Sequence, residues 1–255
     1  MLNKSNFQGV MRLIRNAGIV MTLGISANVF ASGADLVLDK APDRSNDMAA
    51  LQRGAQLFSN YCLNCHGAQS MRYNRLKDLG LTDVQIKDNL LLTNSKIGDT
   101  MKVALTPADG KEWLGASPPD LSVIARAKGV DWLYTYLRTY YRDPARPTGW
   151  NNQASPNVAM PNVLWELQGT QIQKEVVTKI GEHEHTHHAL EVTTPGKLNA
   201  AEFDSAVADL VNYLAYMGEP HQQQRKQIGV FVLLGLMVFA VIAWCLNQAY
   251  WKNIK

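Results

Sequence analysis

Five consecutive residues, Cys62-Leu63-Asn64-Cys65-His66, constrain this chain more than any other stretch. Two thiols three positions apart, followed at once by a histidine, form the Cys-x-x-Cys-His pattern through which a c-type haem is attached. Each thiol can add to a haem vinyl group to form a thioether. His66 is then held beside the ring, where an imidazole nitrogen can reach the iron. Two anchors and a ligand fit within about two helical turns, so the porphyrin is fixed edge-on to one short helix. Other uses of the spacing fit less well. A redox dithiol of the thioredoxin kind wants a βαβ context, and none is visible. A structural zinc site wants a second pair of ligands, whereas the remaining thiol, Cys245, lies deep in an apolar run where it packs as a small hydrophobe.

The two ends of the chain carry opposite kinds of signal. Lys4, Arg12 and Arg15 form a positive N-terminal region, and no acidic residue precedes Asp35. Ala17 to Phe30 is mostly apolar but broken by Gly18, Gly24 and Asn28. Val29-Phe30-Ala31 has the pattern of a cleavage site. Residues 1–34 therefore read as a signal peptide cut after Ala31, with Ala34 a second possibility and an uncleaved anchor the competing reading. Export suits the thiol chemistry, because thioether attachment of haem belongs outside the cytoplasm. At the other end, Ile228 to Leu246 is nineteen residues without a charge. At ~1.5 Å per residue it spans roughly 28 Å, the thickness of a bilayer core. Arg225 and Lys226 flank it on one side, and Tyr250, Trp251, Lys252 and Lys255 on the other. The flanking charges balance and do not orient the helix. The haem box does, by placing residues 32–220 outside and leaving Lys252 and Lys255 in the cytoplasm.

Between the ends lies one domain, 35–220, large enough for a sizeable core. The chain as a whole carries +3, but all seven charged residues in 1–31 and after 220 are basic, so 32–220 carries −4. That implies no nucleic-acid footprint and leaves either an ordinary solvated surface or a mildly acidic face for a basic redox partner. Helical periodicity dominates. Asp47 is an N-cap for a helix reaching Phe58, with Leu51, Ala55 and Phe58 on one face. Asn199 to Met217 carries a stripe of Phe203, Val207, Leu210, Val211 and Leu214, stopped by Gly218 and Pro220. A third helix is predicted over Val130 to Tyr141. Pro118-Pro119, Pro144, Pro147, Pro156 and Pro161 mark loops. No strong strand alternation appears. Gly181-Glu182-His183-Glu184-His185-Thr186-His187-His188 looks like a metal tract, but reads more simply as an exposed loop of solvated histidines.

The sixth iron position decides what such a haem can do. A methionine sulfur is soft and neutral and raises the reduction potential. Outside the end segments the choices are Met48, Met71, Met101, Met160 and Met217. Met48 and Met217 sit on predicted helices, and Met71 is too close to His66 to cross the ring. Met101 stays possible. Met160 has the better context, a loop in which Pro161 biases it towards extended backbone.

Several segments together resemble the cytochrome c1 family, the haem subunits of ubiquinol–cytochrome c reductase, in its bacterial form. They are Arg53-Gly54-Ala55-Gln56-Leu57-Phe58 leading into the haem box, Pro118-Pro119-Asp120-Leu121-Ser122 with Arg126 after it, Met160-Pro161, and Glu219-Pro220-His221 with Arg225-Lys226 running into the C-terminal anchor. The resemblance covers nearly everything after the signal peptide. It implies a mainly α fold: a class I cytochrome c core with long loop insertions plus one C-terminal transmembrane helix. It implies one covalently bound haem c, with His66 and Met160 as the axial pair and Pro118 and Pro119 lining the pocket. Arg126 would pair with a haem propionate, with Lys128 the other possibility, and Asp120 would be structural. The chain would sit beside cytochrome b in membrane lipid, take one electron from the Rieske iron–sulfur protein and pass it to a cytochrome c. It breaks no substrate bond itself. Gly54 and Phe58 would meet Tyr213 or its neighbours where two helices cross. The sequence departs from mitochondrial members at Gly181–His188 and after Asp143. An anchored electron carrier outside any complex is the alternative; a peroxidase or a sensor fits less well, with a single haem box and no cytoplasmic signalling domain.

Overall fold

The computed structural model describes residues 36–252, apart from positions 93, 104, 181 and 182, and the side chains there apart from 177–187. The predicted signal peptide lies outside the described residues.

Helix α1, Met48–Leu57, starts where Asp47 accepts a hydrogen bond from the Ala50 amide at 3.0 Å. It buries Ala50, Leu51, Gly54 and Ala55, the face expected from the apolar spacing. The chain continues from α1 into a wider π turn, Phe58–Cys62, and then a tight turn in which Cys65 and His66 both donate amide hydrogens to the Cys62 carbonyl. The haem box is thus the C-terminal continuation of a buried helix. A short antiparallel pair follows, β1, Ala68–Arg72, with β2, Thr100–Met101. Between them lie a 3-10 stretch, Tyr73–Leu79, and α2, Asp83–Asn89, which Thr82 and Gln85 cap reciprocally. Beyond β2 come α3, Pro107–Leu114, α4, Ile124–Lys128, and α5, Val130–Arg138. Helix α5 stops earlier than predicted. The Thr139 hydroxyl donates to the Thr135 carbonyl at 2.9 Å, and Tyr140–Arg142 becomes β3, paired with β4, Trp150–Asn152. Aromatic residues favour that extended pairing over another helical turn.

Against expectation, the segment after the short α6, Trp165–Gln168, is a long antiparallel hairpin: β5, Gly169–Ile180, with β6, His183–Pro195. Its alternation is hard to read because neither face is a continuous apolar one. Lys174, Glu175, Val176 and Val192 are exposed. The ladder, the Lys174–Glu191 ion pair and the Thr170–Thr193 hydroxyl contact hold it together. Its base is fixed by buried Gln171, which donates to the carbonyls of Arg138 and Tyr140, both at 3.0 Å.

Helix α7, Ala200–Gly218, begins with a reciprocal Asn199–Glu202 cap and buries the predicted stripe. It crosses α1 closely. A Cβ on Gly54 would lie 2.2 Å from the Asp209 carbonyl oxygen and 2.7 Å from Tyr213 Cβ. The rings of Phe58 and Tyr213 meet at 5.6 Å one turn on, so the predicted contact is present. The chain before α1 straps onto this crossing. The amides of Asp39, Ala41 and Arg44 donate to Thr135 Oγ1, Asp131 Oδ1 and Asn212 Oδ1. Buried Asp209 receives both Arg44 and Arg53. Asp209→Ala should cost about 2 kcal/mol, the worth of charge-assisted hydrogen bonds lost. The two arginines, 24% and 55% exposed, can still turn to water, so the cost stays below that of stranding a charge. Chemical denaturation of the solubilised protein would read it.

Helix α8, Gln222–Trp251, leaves the domain through Glu219-Pro220-His221. Gln223 donates to Ser45 Oγ at 2.7 Å, and Arg225 pairs with Glu219. The helix is long and apolar enough to cross a membrane, and its apolar window has none of its residues buried.

Candidate haem site

The predicted site residues fall largely around one cavity of about 330 Å³. Cys62, Cys65 and His66 reach it from the end of α1. Pro118, Pro119 and Leu121 reach it from the segment before α4, Leu133, Tyr136 and Leu137 from α5, Leu210 and Leu214 from α7, and Val158 to Pro161 from the loop after β4. The lining is overwhelmingly apolar, as a porphyrin requires.

The imidazole is set for metal ligation. His66 Nδ1 lies 2.8 Å from the Pro119 carbonyl oxygen. A carbonyl only accepts, so Nδ1 carries the proton and Nε2 keeps its lone pair, the usual arrangement for a histidine ligand. Burial pushes the His66 pKa down; the Pro119 carbonyl and the Asp120 charge oppose the shift without reversing it. At neutral pH the ring is neutral, with Nε2 free to donate to a metal.

That carbonyl is held by Asp120. One Asp120 oxygen accepts from the Gln69 amide at 2.8 Å and the other from the Ser122 amide at 2.9 Å, while the Leu121 amide donates to the Gly67 carbonyl. Pro118-Pro119-Asp120-Leu121-Ser122 is therefore stitched to the residues just after the haem box. Asp120 thereby braces the segment whose Pro119 carbonyl sets the His66 tautomer. Both thiols near this wall are unpaired with each other, and burial, followed by the charge of Cys65, pushes the Cys62 thiol up to about 12.

Met160 also lines the cavity, whereas Met48, Met71, Met101 and Met217 do not. The Met160 loop is built from asparagines. Asn157 has a left-handed backbone, φ 64, a conformation asparagine tolerates better than most residues. Its amide donates to Asn151 Oδ1, and Arg146 donates to both its side-chain and backbone oxygens. Asn152 Oδ1 accepts from the Ala154 and Ser155 amides, and Asn152 Nδ2 donates to the Tyr136 carbonyl. Sequence reading missed these asparagines; their clustering beside Pro156 was the available signal. It also missed Tyr136, whose hydroxyl donates to Met160 Sδ at 3.4 Å, and Tyr140, whose hydroxyl lies 2.6 Å from that of Tyr136. Burial pushes both phenols up, so both keep their protons at neutral pH.

Of the two cations considered for a propionate, Lys128 lines the cavity and Arg126 does not. Arg126 lies against Gly218, its Cγ 3.3 Å from where a Cβ there would stand. Lys128 Nζ sits 5.0 Å from the Trp132 ring centroid. The predicted histidine tract falls largely on β6, and its residues through His187 have side chains outside the description. Among the described residues no group of three or more His, Cys, Asp or Glu is arranged to hold a metal ion.

Two thiols, a tautomer-fixed imidazole and a thioether around one apolar slot fit a covalent haem, and with one long apolar helix they define an anchored c-type cytochrome. The chain belongs to the cytochrome c1 family, whose sequence profile matches residues 39–179 and 196–254. It is 42% identical to cytochrome c1 of Allochromatium vinosum over 227 residues, 89% of this chain and 93% of that one. It is 45% identical to a Nitrosomonas europaea protein named ammonia monooxygenase gamma subunit, over 88% of this chain and 92% of that one. Cytochrome c1 of Rhodospirillum rubrum is 28% identical over 96% of this chain and 98% of its own length. The chain is thus an electron-transfer haem subunit of the bc1-type reductase, with a covalently bound haem c and a single membrane anchor. The unmatched stretch, 180–195, holds the whole of β6.

Proposed function

We propose that Cys62 and Cys65 carry the thioether links, that His66 and Met160 are the axial ligands, and that Pro118 and Pro119 wall the haem. Lys128, rather than Arg126, then pairs with a propionate. The observation that carries this reading is the convergence of both thiols, the Nε2-free imidazole and the Met160 thioether on one apolar cavity. When bound, the haem supplies the one-electron couple. The chain's own residues orient the imidazole through Pro119 and Asp120, offer a neutral sulfur that favours the reduced state, and exclude water along the α5 and α7 walls.

In this reading residues 1–34 are a signal peptide cut after Ala31, 35–220 is a periplasmic domain, and 221–255 is the anchor with a cytoplasmic end. The electron arrives from the Rieske iron–sulfur protein and leaves to a cytochrome c, while the anchor lies beside cytochrome b. The test is mild solubilisation of membranes followed by purification through a tag on this chain, with a reduced-minus-oxidised spectrum of the product. A low-spin c-type signal copurifying with a b-type cytochrome and an iron–sulfur protein is expected. A freely purifying monomer would favour the independent carrier. Copurification with an ammonia-oxidising enzyme would extend the name of the Nitrosomonas relative to this chain. A high-spin, carbon monoxide-reactive product would overturn the His66–Met160 pair.

A further inference from the structure

The Met160 sulfur has a specific hydrogen-bond donor. Tyr136 Oη lies 3.4 Å from Met160 Sδ, within range for a hydrogen bond to sulfur, and 2.6 Å from Tyr140 Oη. A thioether has no proton to give, so in the first contact Tyr136 must donate. Its single hydroxyl proton is then committed, and in the second contact Tyr140 must donate to Tyr136. The sulfur thereby fixes the direction of both bonds.

The surroundings hold this order in place. The Tyr136 ring stacks on Trp132 at 4.8 Å with 13° between planes, and meets Tyr140 edge-on at 5.3 Å. Tyr140 is 1% exposed. Asn152, which shapes the loop leading to Met160, donates to the Tyr136 carbonyl at 2.7 Å. Ring, hydroxyl and sulfur are thus positioned by one continuous network.

We infer, on the reading of Met160 as an iron ligand, that Tyr136 is a positioning residue whose ordered hydroxyl, backed by Tyr140, weakens the sulfur as a donor and raises the reduction potential of the site. The thioether has two lone pairs. One accepts the Tyr136 hydrogen bond and the other remains for the metal. A hydrogen bond draws electron density from sulfur, which weakens its donation to the electron-poor ferric state more than to the ferrous state. The reduced form gains. Neither tyrosine is oxidised or deprotonated; each keeps its proton while the electron enters and leaves at the iron.

The test is a redox titration of the full-length, haem-loaded, membrane-bound protein as Tyr136→Phe and Tyr140→Phe. Phenylalanine keeps the ring stack and removes only the hydroxyl. Tyr136→Phe should stay low-spin and keep the far-red sulfur-to-iron band, while its reduced-to-oxidised ratio at the wild-type midpoint falls about five-fold, the scale of one net hydrogen bond. Tyr140→Phe should shift the same way by less, because Tyr136 keeps its own proton and loses only the partner that orders it. A Tyr136→Phe protein that titrates at or above the wild-type potential would overturn the inference. So would a high-spin product, which would leave the tyrosine a packing role only. If Tyr136→Phe fails to retain haem, Tyr140→Phe decides, and a wild-type potential there is equally fatal. Failure of the ligand reading itself shows separately: Met160→Leu would then leave spectrum and potential unchanged.

Discussion

Gly54→Ala should destabilise the haem domain by about 3 kcal/mol or more, at the upper end for overpacking a tight contact. The added methyl would sit 2.2 Å from the Asp209 carbonyl oxygen and 2.7 Å from Tyr213 Cβ. Neither is the free end of a flexible side chain, so α1 and α7 must move apart. Separation loosens Leu51 and the Phe58–Tyr213 contact and tilts the turn that delivers Cys62 and His66. Alanine gains at most about 1 kcal/mol of helix propensity over glycine, too little to offset this. For a domain of this size the loss corresponds to a fall in melting temperature of roughly 10 °C. Gly98→Ala is the internal control, since a Cβ there meets nothing within 4 Å. Thermal unfolding of the haem-loaded variants and haem-stained accumulation in membranes would measure both. A Gly54→Ala protein as stable as Gly98→Ala would mean that the crossing is not as tight as described.

What could be read in advance follows from how local each signal is. The α1 and α7 stripes repeat over several turns with caps at their starts, so existence and burial both show in the letters. The Gly54 crossing was reachable through the family resemblance, which implied that these two helices pack across each other; the letters alone do not report how close they come. The hairpin over 169–195 was not, because exposed Val176 and Val192 alternate with nothing apolar enough to mark an inner face. Its strands are held by ladder bonds and cross-strand pairs that no periodicity reports. The letters do not separate Arg126 from Lys128, for a geometric reason. Both sit on the five-residue α4, and residues two apart on a helix face different sides. Only the docking of α4 against Gly218 turns Arg126 away and leaves Lys128 on the cavity wall. The hydroxyl of Tyr136 was hidden for a similar reason. Trp132, Tyr136 and Tyr140 recur at every fourth position, and nothing in that spacing says that a methionine 24 residues after Tyr136 receives its hydroxyl.

Met160→Leu should leave the haem covalently attached and lower its reduction potential by on the order of 0.1 V or more, within the range that axial ligands command. In the proposed reading attachment depends on Cys62 and Cys65, which follow from α1, whereas the Met160 loop is built on Asn151, Asn152 and Asn157. Leucine is close to methionine in volume and keeps the wall apolar, so the domain should fold with a change below about 1.5 kcal/mol. What disappears is the sulfur. No other described methionine lines the cavity to replace it, and His66 is already tied to Pro119. The iron would then be five-coordinate, or bound by water or another base that favours the ferric state more than a thioether does. Either outcome lowers the potential, and the first also makes the site reactive to carbon monoxide. The proper control is Met101→Leu, because Met101 is fully buried but lies outside the cavity, and its sulfur sits 3.9 Å from the Tyr213 hydroxyl. Met101→Leu should cost a little stability and leave the potential in place. If the two variants changed roles, Met101 would be the ligand, and the loop ending in Met160-Pro161 would be a wall of the pocket and nothing more.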